Sequence, residues 1–288
     1  RLGDKAVLLC HHYQRADVYQ YADLTGDSLK LSRLAAETDA EFIVFCGVHF
    51  MAETAKLLNP SKTVLIPDLR SGCSLAESIT AEDVRELRRR HPGVPVVTYV
   101  NTSAAVKAES DICCTSGNAV RVIESLGVPE VIMIPDQFLA ANVARQTGVK
   151  VITHPGACEV HERFTPADIR QIRADYRGDV TVLAHPECPP EVVDEADYAG
   201  STAQMISFVA ERRPRRVALI TECSMSDNVA QEYPDVEFVR PCNLCPHMKR
   251  NTLAKIRHAL ETMTNVVEVD PEVAERARAA VDRMLAVK

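Results

Sequence analysis

The chain has 288 residues, 46% hydrophobic and 25% charged, an ordinary balance for a globular protein with one large core or two to three smaller ones. Its net charge of −7 argues against a nucleic-acid partner, which needs a basic face. No run of about 18 apolar residues occurs, so no membrane span is expected.

The first residues, RLGDKAVLLCHH, lack the length and cleavage pattern of a signal peptide. Ten cysteines without such a signal point to a reducing, cytoplasmic compartment, where thiols bind metals or catalyse rather than build a disulfide framework. In chain order the strand-like runs are AVLLC, EFIVFC, TVLIP, VPVVTY, EVIMIP, VKVIT, VTVLA, RVALI and VEFV, with helical stretches between most of them. This alternation predicts parallel α/β units. The tail from Asp270 to Lys288 reads as a further helix, with apolar residues three and four apart in PEVAERARAAVDRML.

Comparing the chain with itself reveals a threefold repeat. His11, Tyr99 and His185 each stand just past a strand-like run. Seventeen residues later come Ser28, Ser116 and Thr202, each opening a helical stretch. Further on, GVHFMAETA, PDQFLAANVA and TECSMSDNVA align, with Asn-Val-Ala recurring without a gap at Asn142 and Asn228. Cys73, Cys158 and Cys245 follow, separated by 85 and 87 residues (158 − 73 and 245 − 158). Each cysteine is followed by Thr80, Thr165 or Thr252, which read as helix N-caps, and then by Arg85, Arg170 or Arg257.

The repeat predicts an α/β fold of three homologous three-layer α/β/α sandwich units with small parallel sheets around a pseudo-threefold axis. The expected units span residues 1–78, 79–163 and 164–249. Residues 250–288 are expected to form helices that pack back on the first unit. Loops at strand C-termini carry ligand sites in open α/β sheets, so the three sets of loops would converge at the centre.

Thiolates meeting there are typical of a cluster in which Cys73, Cys158 and Cys245 leave one iron open as a Lewis acid. Zinc is the alternative, drawing on His161 or His247, and three buried thiols are a third reading. Cys10, Cys46, Cys113, Cys114 and Cys223 lie in or beside apolar strands and read as buried structural thiols, while Cys188 and Cys242 are left open. His185 and Glu187, in H-P-E after VTVLA, can bind a carboxylate and move a proton. The repeat sets this pair opposite Tyr99/Asn101 and His11/Tyr13. Ser28, Ser116 and Thr202 read as N-caps that can also meet anions at helix N-termini. Nucleotide-loop and serine-hydrolase motifs are absent.

Taken together, His11-x-Tyr13-Gln14, Gly26-Asp27-Ser28, Asp68 to Cys73, Thr98-Tyr99-Val100-Asn101, Thr115-Ser116-Gly117-Asn118, Cys158 with His161-Glu162, His185-Pro186-Glu187-Cys188, Gly200-Ser201-Thr202 and Cys245-Pro246-x-Met248 resemble the iron–sulfur quinolinate synthase A family over nearly the whole chain. The resemblance implies three sandwich domains around one 4Fe–4S cluster per chain, held by Cys73, Cys158 and Cys245. It implies condensation of iminoaspartate with dihydroxyacetone phosphate to quinolinate, phosphate and two waters, in NAD biosynthesis. His11, Ser28, Tyr99, Asn101, Ser116, His185, Glu187 and Thr202 would line the substrate site, and Tyr13 would face it. The catalytic expectation is Glu187 as base, with Tyr13 or Tyr99 relaying protons and His185 assisting. The expected partners are the two small anions and, transiently, the enzyme that supplies iminoaspartate. Some relatives carry a longer C-x-x-C-x-x-C run near the third ligand. Here only Cys242 and Cys245 remain, and a regulatory disulfide between them is one expectation. Competing functions are another three-cysteine dehydratase acting on a small hydroxy acid, and an iron–sulfur or zinc sensor.

Overall fold

Three four-stranded sheets, every pairing parallel, carry the three repeats in the computed structural model, which describes residues 3–287. In the first unit the order along the chain is β1 (Ala6–His11), α1 (Ala16–Tyr19), β2 (Leu24–Gly26), α2 (Ser28–Glu37), β3 (Phe42–Cys46), α3 (His49–Leu58), β4 (Thr63–Leu65) and α4 (Ser74–Glu77). The second unit follows with α5 (Ala81–Arg90), β5 (Val96–Tyr99), α6 (Ala104–Ala108), β6 (Ile112–Cys114), α7 (Ala119–Ser125), β7 (Glu130–Ile134), α8 (Gln137–Ala144) and β8 (Lys150–Thr153). The third comprises α9 (Pro166–Asp175), β9 (Thr181–Ala184), α10 (Pro190–Asp194), β10 (Tyr198–Ala199), α11 (Thr202–Arg212), β11 (Arg216–Ile220), α12 (Ser224–Glu232) and β12 (Glu237–Val239). Two helices close the chain, α13 (Leu253–Thr262) and α14 (Pro271–Ala286).

The strand orders are β2-β1-β3-β4, β6-β5-β7-β8 and β10-β9-β11-β12, one topology used three times. The register repeats as well. Leu9 pairs with Leu24, Val97 with Ile112 and Leu183 with Tyr198, the same chain separation each time. Central strands buried on both faces need apolar side chains at successive positions. FIVFC of β3 and EVIMI of β7 supply them and are buried from their second residue onward.

Thr80, Thr165 and Thr252 cap α5, α9 and α13 as expected, the first two in full capping boxes with Asp83 and Asp168. Cys10, Cys46, Cys113 and Cys114 are buried thiols, also as expected. Cys188 joins them, packed in the third unit's core. Helix α13 sets Ile256 against Cys10, Val44, Cys46 and Leu65 of the first sheet. Helix α14 departs from the expected docking on the first unit alone. It lies against α6 and β6 of the second unit as well as α3 of the first, because Ala277, Ala280, Val281 and Met284 form an apolar stripe shared by both.

The cysteine pairing also differs from expectation. Cys223 is not a free thiol, and Cys242 does not pair with Cys245. Cys223 and Cys242 form a disulfide with Cα atoms 4.8 Å apart. The cause is a parallel bridge between Glu222 and Asn243, with the Cys223 amide donating to the Asn243 carbonyl at 3.3 Å, which sets these two residues side by side. No helix among the described residues is long and apolar enough to cross a membrane.

Candidate active site

Every site residue expected from the sequence lines one cavity. The C-terminal ends of the central strands β1, β5 and β9 and the loops that follow bring His11 and Tyr13, Tyr99 and Asn101, and His185 and Glu187; His11 and Tyr99 are the last strand residues and His185 the first residue past its strand. The loops after β2, β6 and β10 bring Ser28, Ser116 and Thr202, and the last loop of each unit brings Cys73, Cys158 and Cys245. His11, Tyr99, His185, Glu187 and Thr202 are buried, as is His161, with Glu187 4% exposed and His161 1%, while Tyr13, Ser28, Asn101, Ser116 and the three cysteines are half-buried.

The hydroxyls correct one expectation. Asp27 and Ser201, not Ser28 and Thr202, cap α2 and α11, accepting from the amides of Lys30 and Gln204. Ser28 and Thr202 stand in the first turn instead, with their side chains left for the cavity. Ser116 lies two residues before the α7 cap, Asn118, and its Oγ is 3.2 Å from His185 Nε2.

Two histidines are held alike. His11 Nδ1 accepts the Tyr13 amide at 3.2 Å, and His185 Nδ1 accepts the Glu187 amide at 3.3 Å. Burial, with His12 nearby, pushes His11 well below the usual imidazole range. Burial pushes His185 down to about 3, against an opposing pull from Glu187. Both rings are therefore neutral at pH 7. With Nδ1 accepting, each carries its proton on Nε2 as an N–H donor. What they offer the cavity is a hydrogen-bond donor each, not a positive charge.

Sequence reasoning placed His161 in a motif and among zinc donors, but missed its partners. Tyr13 OH and Thr221 Oγ1 share a hydrogen bond of 2.6 Å, and Thr221 Oγ1 shares another of 2.8 Å with His161 Nε2. His161 Nδ1 in turn lies 2.8 Å from Glu187 Oε2, while Tyr99 OH donates to Glu187 Oε1. One run of hydrogen bonds thus passes through all three units and ends on a single carboxylate. Burial opposes a charge on Glu187, but the neighbouring His161 and the hydrogen bonds from His161 and Tyr99 outweigh it and hold the group below the usual carboxylate range. Tyr13 and Tyr99 stay phenols, raised well above their ordinary values by burial and by Glu187.

The cysteines behave as a set. Burial lifts Cys73 to about 12 and Cys245 to about 11, and Cys158 well above the ordinary thiol value. Without a cationic centre all three would remain thiols. A second polar assembly supports the third of them. The buried Glu222 carboxylate accepts the Cys245 amide at 3.2 Å and pairs with Lys249 at 2.8 Å, and Lys249 also donates to the Tyr13 carbonyl at 2.7 Å.

With this geometry in view, the likeness to known proteins is decisive. The family described as Quinolinate synthetase A protein, NadA, matches residues 2–286. The chain belongs to the quinolinate synthetase A family. Among curated relatives it is 69% identical to Quinolinate synthase 1 of Mesorhizobium japonicum over 98% of this chain and 87% of that protein. It is 65% identical to the Quinolinate synthase of Agrobacterium fabrum, over 98% and 82%, and 64% identical to that of Xylella fastidiosa Temecula1, over 98% and 83%. The quinolinate synthetase A family is a family of enzymes, so the cavity is read as an active site.

Proposed function

We propose that this protein is a cytoplasmic quinolinate synthase that condenses iminoaspartate with dihydroxyacetone phosphate, giving quinolinate, phosphate and two waters, as a step of NAD biosynthesis. The observation that carries the reading is the meeting, in one cavity, of three cysteines from three units with Tyr13, His161 and Glu187, which Thr221 links from behind the cavity wall, in a chain of this family.

The donor set fits an iron–sulfur cluster. Each unit offers one soft sulfur ligand, and no fourth cysteine lines the cavity among the described residues. Cys73, Cys158 and Cys245 would hold one 4Fe–4S cluster. When bound, the cluster supplies a Lewis-acidic iron with an open position, which favours departure of hydroxide from a substrate. The alternative metal is zinc, since Cys158, His161 and Glu187 set ligand atoms within 4.8 Å of one another. Both ring nitrogens of His161 already face Glu187 and Thr221, which favours a proton-moving role over ligation.

The chain's own residues divide the remaining work. Ser28, Ser116 and Thr202, with the first-turn amides of α2 and α11, bind carboxylate and phosphate oxygens without a lysine. His11 and His185 add Nε2–H donors, and Asn101 an amide. Glu187, ionised before substrate arrives, accepts the proton released on enolisation. Protonated Glu187 is in contact with Tyr99 and His161, and through Thr221 with Tyr13, so the proton can be delivered to a leaving oxygen elsewhere in the cavity. Burial of Glu187, His185, His161 and Tyr99 keeps water from the groups that move the proton.

The test is direct. Anaerobically purified protein supplied with both substrates should release quinolinate and phosphate in equal amounts. Turnover of a small hydroxy acid without dihydroxyacetone phosphate would favour the rival dehydratase. A protein that binds metal but turns over neither would favour the sensor.

A further inference from the structure

The repeated Asn-Val-Ala triplet places Asn142 in α8 and Asn228 in α12 at equivalent positions. Both asparagines are buried, and each reaches into a neighbouring unit. Asn142 Nδ2 donates to the carbonyls of Pro186 and Cys188, each at 2.9 Å. Those are the two carbonyls flanking Glu187. Asn228 Nδ2 donates to the carbonyls of His12, at 2.9 Å, and Gln14, at 2.8 Å, which flank Tyr13. Glu187 and Tyr13 occupy equivalent places in their loops, two residues past His185 and His11. One amide group thus straddles one site residue in each case.

The equivalent place in the second unit's loop is Asn101, two residues past Tyr99. By the cyclic order, α3 of the first unit should hold it. The residue there is Thr54, whose hydroxyl is spent on the Phe50 carbonyl at 2.8 Å. The grip comes from a different residue. Lys107 is fully buried, and its ammonium donates to the carbonyls of Val100, at 2.8 Å, and Thr102. These two carbonyls flank Asn101. The first unit still touches this loop's end through Glu53, whose carboxylate accepts the Ala104 amide at 3.1 Å.

We propose that Asn142, Asn228 and Lys107 are positioning residues, a threefold set of clamps that fix the backbone on both sides of Glu187, Tyr13 and Asn101 so that each side chain is presented to the substrate at a set angle. Buried carbonyls need donors, and many arrangements would satisfy them one at a time. A single donor group bridging the carbonyls before and after one residue does more. It restrains the peptide planes on both sides of that residue and hence the direction of its Cα–Cβ bond. Lysine and the asparagine amide nitrogen are unlike in charge and length, yet all three end in the same two-carbonyl grip. The two asparagine Oδ1 atoms accept no hydrogen bond among the described residues, so it is as donors that these side chains are used. Misplacing a reacting group by about 1 Å costs on the order of 10²-fold in rate.

The proposal rests on the reading that Glu187 and Tyr13 act on the substrate, and a double-mutant cycle separates the two claims. Asn142→Ala is made in the wild-type protein and in Glu187→Gln, all holding their cluster. We expect Asn142→Ala alone to lower kcat by about 10–100-fold with little change in KM or in iron per chain. In Glu187→Gln the same change should cost less than about threefold, since the side chain it aims has lost its function. Asn228→Ala in Tyr13→Phe should behave likewise. Asn59 supplies the control, because its amide bridges the carbonyls of Ala35 and Ala55 away from the cavity. Asn59→Ala should lower Tm and leave kcat unchanged. Should Asn142→Ala fail to fold, Asn142→Asp keeps the volume, removes the amide donor and should show the same pattern. An equal loss in both backgrounds, or wild-type kcat in a folded Asn142 variant, would overturn the clamp. Full activity of Glu187→Gln itself would instead sink the site reading, and with it the purpose of that clamp.

Discussion

His161 Nδ1 stands 2.8 Å from Glu187 Oε2, with both side chains almost wholly buried. The contact joins the second unit's Cys158 loop to the third unit's strand-end loop. It leaves Glu187 charged where burial alone would neutralise it, because the carboxylate also accepts from Tyr99. In the proposed function this buried charge with two donors is the base, and the hydrogen-bond run behind it is its outlet.

The first prediction concerns that base. Glu187→Gln keeps the shape and can still accept from Tyr99, but it cannot take a proton. Turnover should fall by about 10²–10⁴-fold while iron content stays that of the wild type. Near-normal quinolinate production by a cluster-loaded Glu187→Gln protein would refute the assignment.

Thr221 tests the outlet. It is fully buried and joins Tyr13 OH to His161 Nε2 by bonds of 2.6 and 2.8 Å. Thr221→Val removes the hydroxyl and little else. We expect kcat to drop by about 10²-fold with KM and iron per chain nearly unchanged. A Thr221→Val enzyme with wild-type kcat would mean that protons leave Glu187 by another route.

Much of this was legible in the chain. Apolar β-branched runs marked the parallel strands, and self-comparison set the three strand-end loops and three cysteines at matching places, all of which meet in the cavity. What escaped depends on contacts between units. Thr221 meets Tyr13 across 208 positions of sequence and Asn228 meets His12 across 216, so no local pattern marks either. The Asn-Val-Ala repeat was visible, but its purpose was not, since a helix position does not say what it faces. The caps were misplaced by one residue because Asp27-Ser28 and Ser201-Thr202 each offer two capping oxygens, and the chain conformation chooses the first. The pairing of Cys223 with Cys242 follows from adjacent loops in the folded third sheet, not from spacing.

Acid should weaken the fold through His12. Burial, helped by Lys30, pushes this ring down from 6.5 to about 4, so the folded protein keeps it neutral where the unfolded chain binds a proton. Its contribution is fully present above pH 6.5 and is lost as pH falls through about 4, amounting to at most about 3 kcal/mol. Denaturant unfolding followed from pH 7 to 4 should show this decline, and His12→Gln should flatten it. An unchanged pH slope in the variant would assign the loss to other groups.

Stability and activity should separate at Thr165. Its side chain caps α9 in a capping box with Asp168, on a helix outside the cavity. Thr165→Ala should cost about 1 kcal/mol, a fall of about 2–4 °C in Tm, with kcat unchanged. A loss of turnover in the folded variant would contradict this separation of scaffold from site.

The central claim is that three units each deliver one thiolate to a single iron–sulfur cluster. Anaerobic purification followed by iron and sulfide determination measures it most directly. About four irons and four sulfides per chain are expected in the wild type, with loss of the cluster in Cys73→Ser, Cys158→Ser and Cys245→Ser alike. One zinc per chain without sulfide, or a full complement of iron retained by any of the three variants, would contradict it.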